Sequence, residues 1–250
     1  EVLRPLCARY MGSNSPIDPG HLIDFLNRKT HQVMSVSRVG QIARLTNLLT
    51  GLIDGAGAAN LSSDPEELAL QLEKLLIYSL TWSMGGLLEP DDRVLFDATL
   101  REFAEEGGTG ASMPECAEGE TLYEYFVNPE TMEWELWRPP LWKYPKGSTL
   151  DYSNLLVPTM DSTRSLFLVK TLHKQRLPVL MVGGSGTAKT STAQMFFHTL
   201  SPDEMLIKTI SFSSATTPFM FQSTVEAELD KRGGKNFGPQ FGLKMTVFLD

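Results

Sequence analysis

The stretch Pro178 to Thr199, PVLMVGGSGTAKTSTAQMFFHT, constrains the fold of this chain more than any other. Val179, Leu180, Met181 and Val182 form a short apolar run between a proline and a glycine, the pattern of a strand buried on both faces of a parallel sheet. The following Gly183 to Thr190, GGSGTAKT, matches G-x-x-x-x-G-K-[ST] at every informative position except the second glycine, which is Ala188. From Lys189, Thr190 and Ser191 onward the sequence reads as a helix. Strand, glycine-rich turn and helix in this order form the layout of a phosphate-binding loop.

The residue types follow from the chemistry. A triphosphate crowds several negative charges together, and a loop whose backbone N–H groups converge on its oxygens holds them, helped by the positive end of the next helix. Gly183, Gly184 and Gly186 let the backbone approach, with Ser185 and Thr187 between them. Lys189 then serves as a point charge on the β- and γ-phosphates, and the Thr190 hydroxyl as a ligand to Mg²⁺. Ala188 falls where a right-handed helix is expected to begin, and there a methyl group costs little.

A second signal lies 61 residues after Lys189, at the end of Met245-Thr246-Val247-Phe248-Leu249-Asp250. This apolar strand delivers one carboxylate at its carboxyl edge, where α/β sheets bind ligands. Asp250 has the form of a Walker B aspartate, sharing Mg²⁺ with Thr190. In nucleoside triphosphatases of this type the next residue usually orients the attacking water, so no catalytic residue is expected up to Asp250 itself.

Between these motifs, strand and helix patterns alternate. Leu155 to Thr159 is a short apolar segment, and Asp161 is expected to cap a helix carrying Leu166, Phe167, Val169 and Leu172. After the loop helix come a strand over Met205–Phe212, a helix over about Thr217–Arg232, a loop over Gly233–Gly242 and the strand ending in Asp250. The alternation predicts a mainly parallel sheet with right-handed crossovers.

The first 106 residues read as helices. Apolar residues from Val33 to Ile53 recur at three- and four-residue steps, predicting one long helix from Thr30 to a stop at Asp54-Gly55. Ser63-Asp64-Pro65-Glu66 opens a second helix, which ends at Gly85-Gly86, and a third covers Asp91 to about Glu106. Gly107 to Gly119 is a glycine-rich break; Tyr123–Val127 and Trp134–Trp137 then flank Asn128-Pro129 as a hairpin. Trp134, Trp137 and Trp142 are expected to pin an irregular connector by packing. The segments are thus 1–106 helical, 107–150 an acidic and aromatic connector, and 151–250 α/β.

Composition narrows the classes. The net charge is −8, and ten glutamates against one arginine between Arg101 and Glu135 account for it, so no broad basic face for nucleic acid is expected. No apolar run approaches the ~18 residues of a membrane span, so no membrane role is expected. Cys7 and Cys116 are distant in sequence, which suits a reduced intracellular setting, and His21, His31, His173 and His198 are too scattered for a metal site.

The runs LLVPTMDSTRSLFLVKTL, PVLMVGGSGTAKT, ISFSSATTPFMFQSTVEAELDKR and FGPQFGLKMTVFLD are similar to the third AAA+ module of dynein heavy chains, axonemal ones especially. LEKLLIYSLTWSMGGLLEPDDRVLFDATLREF and YEYFVNPETMEWELW resemble the segment leading from the second module into the third. The resemblance implies an α/β P-loop NTPase (AAA+) parallel sheet with flanking helices, truncated at Walker B and preceded by the all-α small subdomain of the preceding module. It implies that Leu156, Val157 and Pro158 pack against adenine, that Gly183 to Ser191 hold the phosphates of ATP or ADP, and that Thr190 and Asp250 hold Mg²⁺.

The family further implies a microtubule minus-end-directed motor in the cytoplasm, the cytoskeleton and the cilium or flagellum axoneme. Its expected partners are neighbouring AAA+ modules, microtubules through a stalk elsewhere, and intermediate and light chains through a tail elsewhere. The third module would bind and slowly hydrolyse nucleotide to gate microtubule release, and such modules accept alanine at the position of Ala188. The Phe212–Thr217 turn also matches the family but brings no assigned chemistry. Two other readings stay open: another AAA+ or P-loop ATPase, and a nucleotide-binding regulatory module with little hydrolysis.

Overall fold

The computed structural model describes residues 19–106, 112–143 and 155–250. Cys7 and the start of the glycine-rich break at Gly107 lie outside the described residues. Two compact units result, one from residues up to Leu141 together with Thr159–Gly183, the other from Trp142–Pro158 with Gly184–Asp250. The hairpin and the helix after Thr159 therefore belong with the helices of the first unit.

The first unit is built on α1 (Pro19–Lys29), α2 (Arg38–Ala56), α3 (Pro65–Ser83) and α4 (Pro90–Glu106). Helix α3 is its centre. Asp64 caps it by accepting from the Glu67 N–H at 3.1 Å, Pro65 occupies the first turn, and Glu66 and Glu67 face the positive dipole end. Beyond Leu72 nearly every side chain is buried, including the hydroxyls of Ser79 and Thr81, which donate back to the carbonyls of Leu75 and Ile77. A helix hydrophobic on all sides has to be surrounded, and α1, α2 and α4 supply Leu22, Leu26, Leu45, Phe96 and Leu100 around it.

Strands β1 (Tyr125–Val127) and β2 (Trp134–Leu136) form the expected antiparallel hairpin. Trp137 is buried and stacks on Phe126 at 4.1 Å, while Trp134 donates to the Ser112 carbonyl at 2.7 Å. Helix α5 (Met160–Lys174) joins the same core through Phe167, which meets Tyr78 edge-on at 6.0 Å and Trp137 at 5.4 Å.

Three local expectations change here. The long helix begins at Arg38 rather than Thr30, because the Ser37 hydroxyl captures the Gly40 N–H and the Val33 N–H pairs with the Leu87 carbonyl instead. The apolar steps at Val33 and Val39 accordingly mark exposed positions, at 55% and 78%. The cap of α5 is Thr159, in a reciprocal box with Ser162, and Asp161 sits in the first turn. Thirdly, Val179–Val182 adopts no strand, and Leu180 is 73% exposed. A parallel strand needs ladders to satisfy its backbone groups, and among the described residues none forms beside this run.

The second unit holds α6 (Lys189–Phe197), β3 (Met205–Ile210), α7 (Pro218–Glu226), β4 (Leu229–Gly233), β5 (Asn236–Pro239) and β6 (Lys244–Leu249). Strands β3 and β6 pair in parallel from Met205 opposite Lys244 to Ile210 opposite Leu249. The expected helix to Arg232 stops at Glu226, and the expected loop is an antiparallel hairpin of β4 and β5. Gly233 and Gly234, with φ of 151° and 59°, supply the turn that redirects the chain. No helix among the described residues is long and apolar enough to cross a membrane.

Candidate nucleotide site

The glycine-rich turn closes on itself before α6 begins. Thr187 Oγ1 donates to the Gly184 carbonyl at 2.9 Å, and Gly186 takes a left-handed φ of 77° that suits glycine. Ser185 and the glycines beside it are exposed. Gly183 is the last residue of the first unit and Gly184 to Ser191 belong to the second.

Ala188 departs from expectation. Its backbone lies at φ 58°, ψ 24°, in the left-handed region, and not at the start of a right-handed helix. An L-residue there sets its Cβ against a carbonyl oxygen at a cost of roughly 1–2 kcal/mol, which glycine would avoid. The position is held nonetheless: the Ala188 carbonyl accepts from both the Thr192 N–H and the Thr192 hydroxyl at 2.9 Å. Alanine therefore occupies a strained, over-determined position at the mouth of the loop.

Helix α6 then delivers two side chains. Lys189 donates to the Gly184 carbonyl at 2.6 Å and to Thr187 Oγ1 at 3.4 Å, placing its ammonium over the turn. Thr190 Oγ1 donates to Asp250, 3.1 Å from Oδ1 and 3.3 Å from Oδ2. The helix meets the sheet through Phe197, which packs edge-on against Phe248 of β6 at 5.4 Å, and Thr192, Ala193 and Phe196 are its buried residues.

Asp250 is fixed at the end of β6. Its N–H donates to the Ile210 carbonyl at 3.1 Å, and its own carbonyl accepts from the Phe212 N–H at 2.8 Å. The ladder with β3 thus extends past the last strand pair and holds the carboxylate at the carboxyl edge of both strands. The sequence identified the carboxylate but not this clamp; the Phe212–Thr217 turn was its only trace, matched to a family segment without a role.

The pair fits a small hard cation. Two neighbouring ligands of an octahedral Mg²⁺, each at 2.0–2.1 Å, lie ~2.9 Å apart, close to the Thr190–Asp250 separation. Among the described residues no group of three or more His, Cys, Asp or Glu could hold a metal by protein ligands alone. One hydroxyl and one carboxylate instead leave most of the coordination shell to phosphate and water, the habit of Mg²⁺ in nucleotide sites.

The remaining candidates stand apart from this constellation in kind. Leu156, Val157 and Pro158 lie in the second unit outside any helix or strand, with Val157 49% exposed and its neighbours half-buried. Ser191 follows Thr190 in the first turn of α6 and is half-buried.

Comparison with known proteins matches both parts of the chain. Residues 19–139 fit the family model described as the dynein heavy chain AAA lid domain, and residues 142–250 that of the P-loop containing dynein motor region. The chain is 38% identical over 221 residues, 87% of its length, to dynein axonemal heavy chain 8 of Mus musculus. It is 35% identical over 232 residues, 92% of its length, to the dynein gamma chain of the flagellar outer arm of Chlamydomonas reinhardtii. Dynein axonemal heavy chain 5 of Mus musculus is 38% identical over 220 residues. The chain spans only 4% and 5% of the length of the first two of these relatives.

Proposed function

This chain belongs to the dynein heavy chain family, and from that premise we propose that Gly184–Ser191 with Asp250 form an ATP- or ADP-binding site. Its fold is the α/β P-loop fold of the AAA+ dynein motor region, with helices preceding the sheet. The observation that carries the proposal is the convergence of Thr190 and Asp250, sixty positions apart, to 3.1 Å beside the loop lysine.

Within the site each residue has a distinct task. Backbone N–H groups of the loop and the start of α6 receive phosphate oxygens, and Lys189 neutralises the charge nearest the terminal phosphates. Thr190 and Asp250 would hold Mg²⁺, which would supply positive charge against the phosphates. Gly183 completes the loop, and Leu156, Val157 and Pro158 supply the apolar contact for adenine. Hydrolysis would belong to the full heavy chain, and would need a residue able to orient water in the position after Asp250.

In the full protein we place residues 1–106 in the small subdomain of the second AAA+ module, 107–150 in the connector and 151–250 in the large subdomain of the third. The site then regulates a microtubule motor of the axoneme, with neighbouring AAA+ modules as its direct partners and microtubules and accessory chains reached elsewhere. Relatives named as axonemal and flagellar dyneins support that placement.

The test is titration of the full chain with a fluorescent ATP analogue. Lys189→Ala is expected to remove this module's share of binding, a loss of at least tenfold in affinity. Unchanged binding would overturn the assignment of the loop.

A further inference from the structure

Asp250 is held by its backbone at two points, its N–H on the Ile210 carbonyl and its carbonyl on the Phe212 N–H. Beyond the last register pair of Ile210 and Leu249, the Phe212 N–H donates to the Asp250 carbonyl at 2.8 Å, so residues 210–212 and Asp250 move together. The Phe212 ring then meets the Phe221 ring of α7, with centroids 5.7 Å apart and planes at 42°. Between them the turn is closed locally: the Ser213 N–H donates to Thr216 Oγ1 at 2.9 Å, the Thr216 N–H to the Ser213 carbonyl at 3.0 Å, and Thr217 caps α7 by accepting from the Met220 N–H at 3.2 Å.

Helix α7 has no buried residue, and Phe219 and Met220 on it are 75% and 53% exposed. A helix with so little buried surface sits where a few side chains hold it. From these contacts we infer that Phe212 and Phe221 are positioning residues for the Asp250 carboxylate, relaying the place of α7 to the oxygens that face Thr190. Phe212 acts through its backbone amide and Phe221 through the ring pair. Displacing α7 shifts residue 212, then Asp250, and so changes how well the Thr190–Asp250 pair accepts a divalent cation. This rests on the reading of that pair as the Mg²⁺ ligands.

The experiment uses the full heavy chain and a fluorescent ADP analogue, titrated with and without Mg²⁺; the component removed by Lys189→Ala defines this module's share. Phe221→Ala is expected to reduce the gain in affinity that Mg²⁺ confers by about three- to tenfold, the range for a lost aromatic pair, with metal-free binding unchanged. Phe221→Leu, which keeps an apolar contact with Phe212, restores most of that gain. Phe212→Leu retains the amide and shortens the ring, and is expected to lie between the two. An unchanged Mg²⁺ gain in Phe221→Ala, or equal weakening with and without Mg²⁺, overturns the inference. Asp250→Asn, run in parallel, separates the failures: if it too leaves the gain intact, the metal reading falls with the inference, and if it abolishes the gain while Phe221→Ala does not, only the inference falls.

Discussion

Thr190 Oγ1 lies 3.1 Å from Asp250 Oδ1 although sixty positions separate the two residues. One is delivered by the first turn of α6 and the other by the end of β6, and the edge-on contact of Phe197 with Phe248 fixes helix to strand.

Removing one partner of that pair tests its role directly. Asp250→Asn is expected to weaken Mg²⁺-dependent nucleotide binding by at least tenfold and metal-free ADP binding by less than threefold, because an amide is a poor ligand for a hard cation. Thr190→Val is expected to give the same pattern at smaller amplitude. Equal losses in both conditions, measured by titration with and without chelator, would contradict a metal role.

The left-handed Ala188 makes a second expectation. Ala188→Gly relieves roughly 1–2 kcal/mol of backbone strain and costs about 0.4–1 kcal/mol in unfolded-chain entropy, a net gain of about 0.5–1 kcal/mol. Hydrogen exchange reads this locally, since the Thr192 N–H donates to the Ala188 carbonyl. Its protection should rise about two- to fivefold in Ala188→Gly and fall in Ala188→Val, whose branched Cβ fits that region worse.

Gly85 is a tight spot in the helical unit. A Cβ there would collide with the buried Tyr123 hydroxyl and lie 2.8 Å from Phe96 Cδ1. Gly85→Ala is therefore expected to destabilise this unit by about 1–3 kcal/mol through overpacking. Urea unfolding followed by tryptophan fluorescence reports it, since Trp82, Trp134 and Trp137 belong to that unit. An unshifted midpoint would mean that the site relaxes freely.

Cys116 offers a pH test. Burial pushes its thiol up, and Arg101, whose Nη2 donates to Sγ at 2.8 Å, pulls it only part of the way back. With the folded value above the unfolded one, the neutral thiol is favoured, and its contribution to stability is complete below the unfolded value and lost as pH rises through the folded one. Alkylation of native chain at pH 8 should be slower than that of a free cysteine and should climb through pH 9 and beyond, as followed by peptide mass spectrometry. A rate matching the free thiol at pH 8 would contradict a raised value.

How far these features could be read from sequence depended on whether their cause was local. The Asp64 cap, the β1–β2 hairpin and the Lys189-Thr190 helix start are set by residues within one turn of each other, and all three stood in the residue pattern. The β4–β5 hairpin did not, because a run of polar and apolar residues before Gly233 reads equally as a helix, and strand pairing between Lys231 and Phe237 decides it. Asp250 was legible from its strand and spacing. Its backbone clamp by Phe212 was not, since a main-chain hydrogen bond across two strands leaves no mark on residue type. Ala188 shows the reverse error: the motif located it correctly, but its handedness belongs to the loop and not to the helix that follows.

The strand pair has a practical corollary. Among the described residues β3 and β6 form a sheet of only two strands, and Phe237 and Phe241 in the same unit are 62% and 93% exposed. Exposed aromatics on so small a sheet recruit other chains. A segment cut out at residues 142–250 for laboratory production should therefore precipitate or form inclusion bodies, and solubility should rise when Phe237 and Phe241 are both replaced by serine.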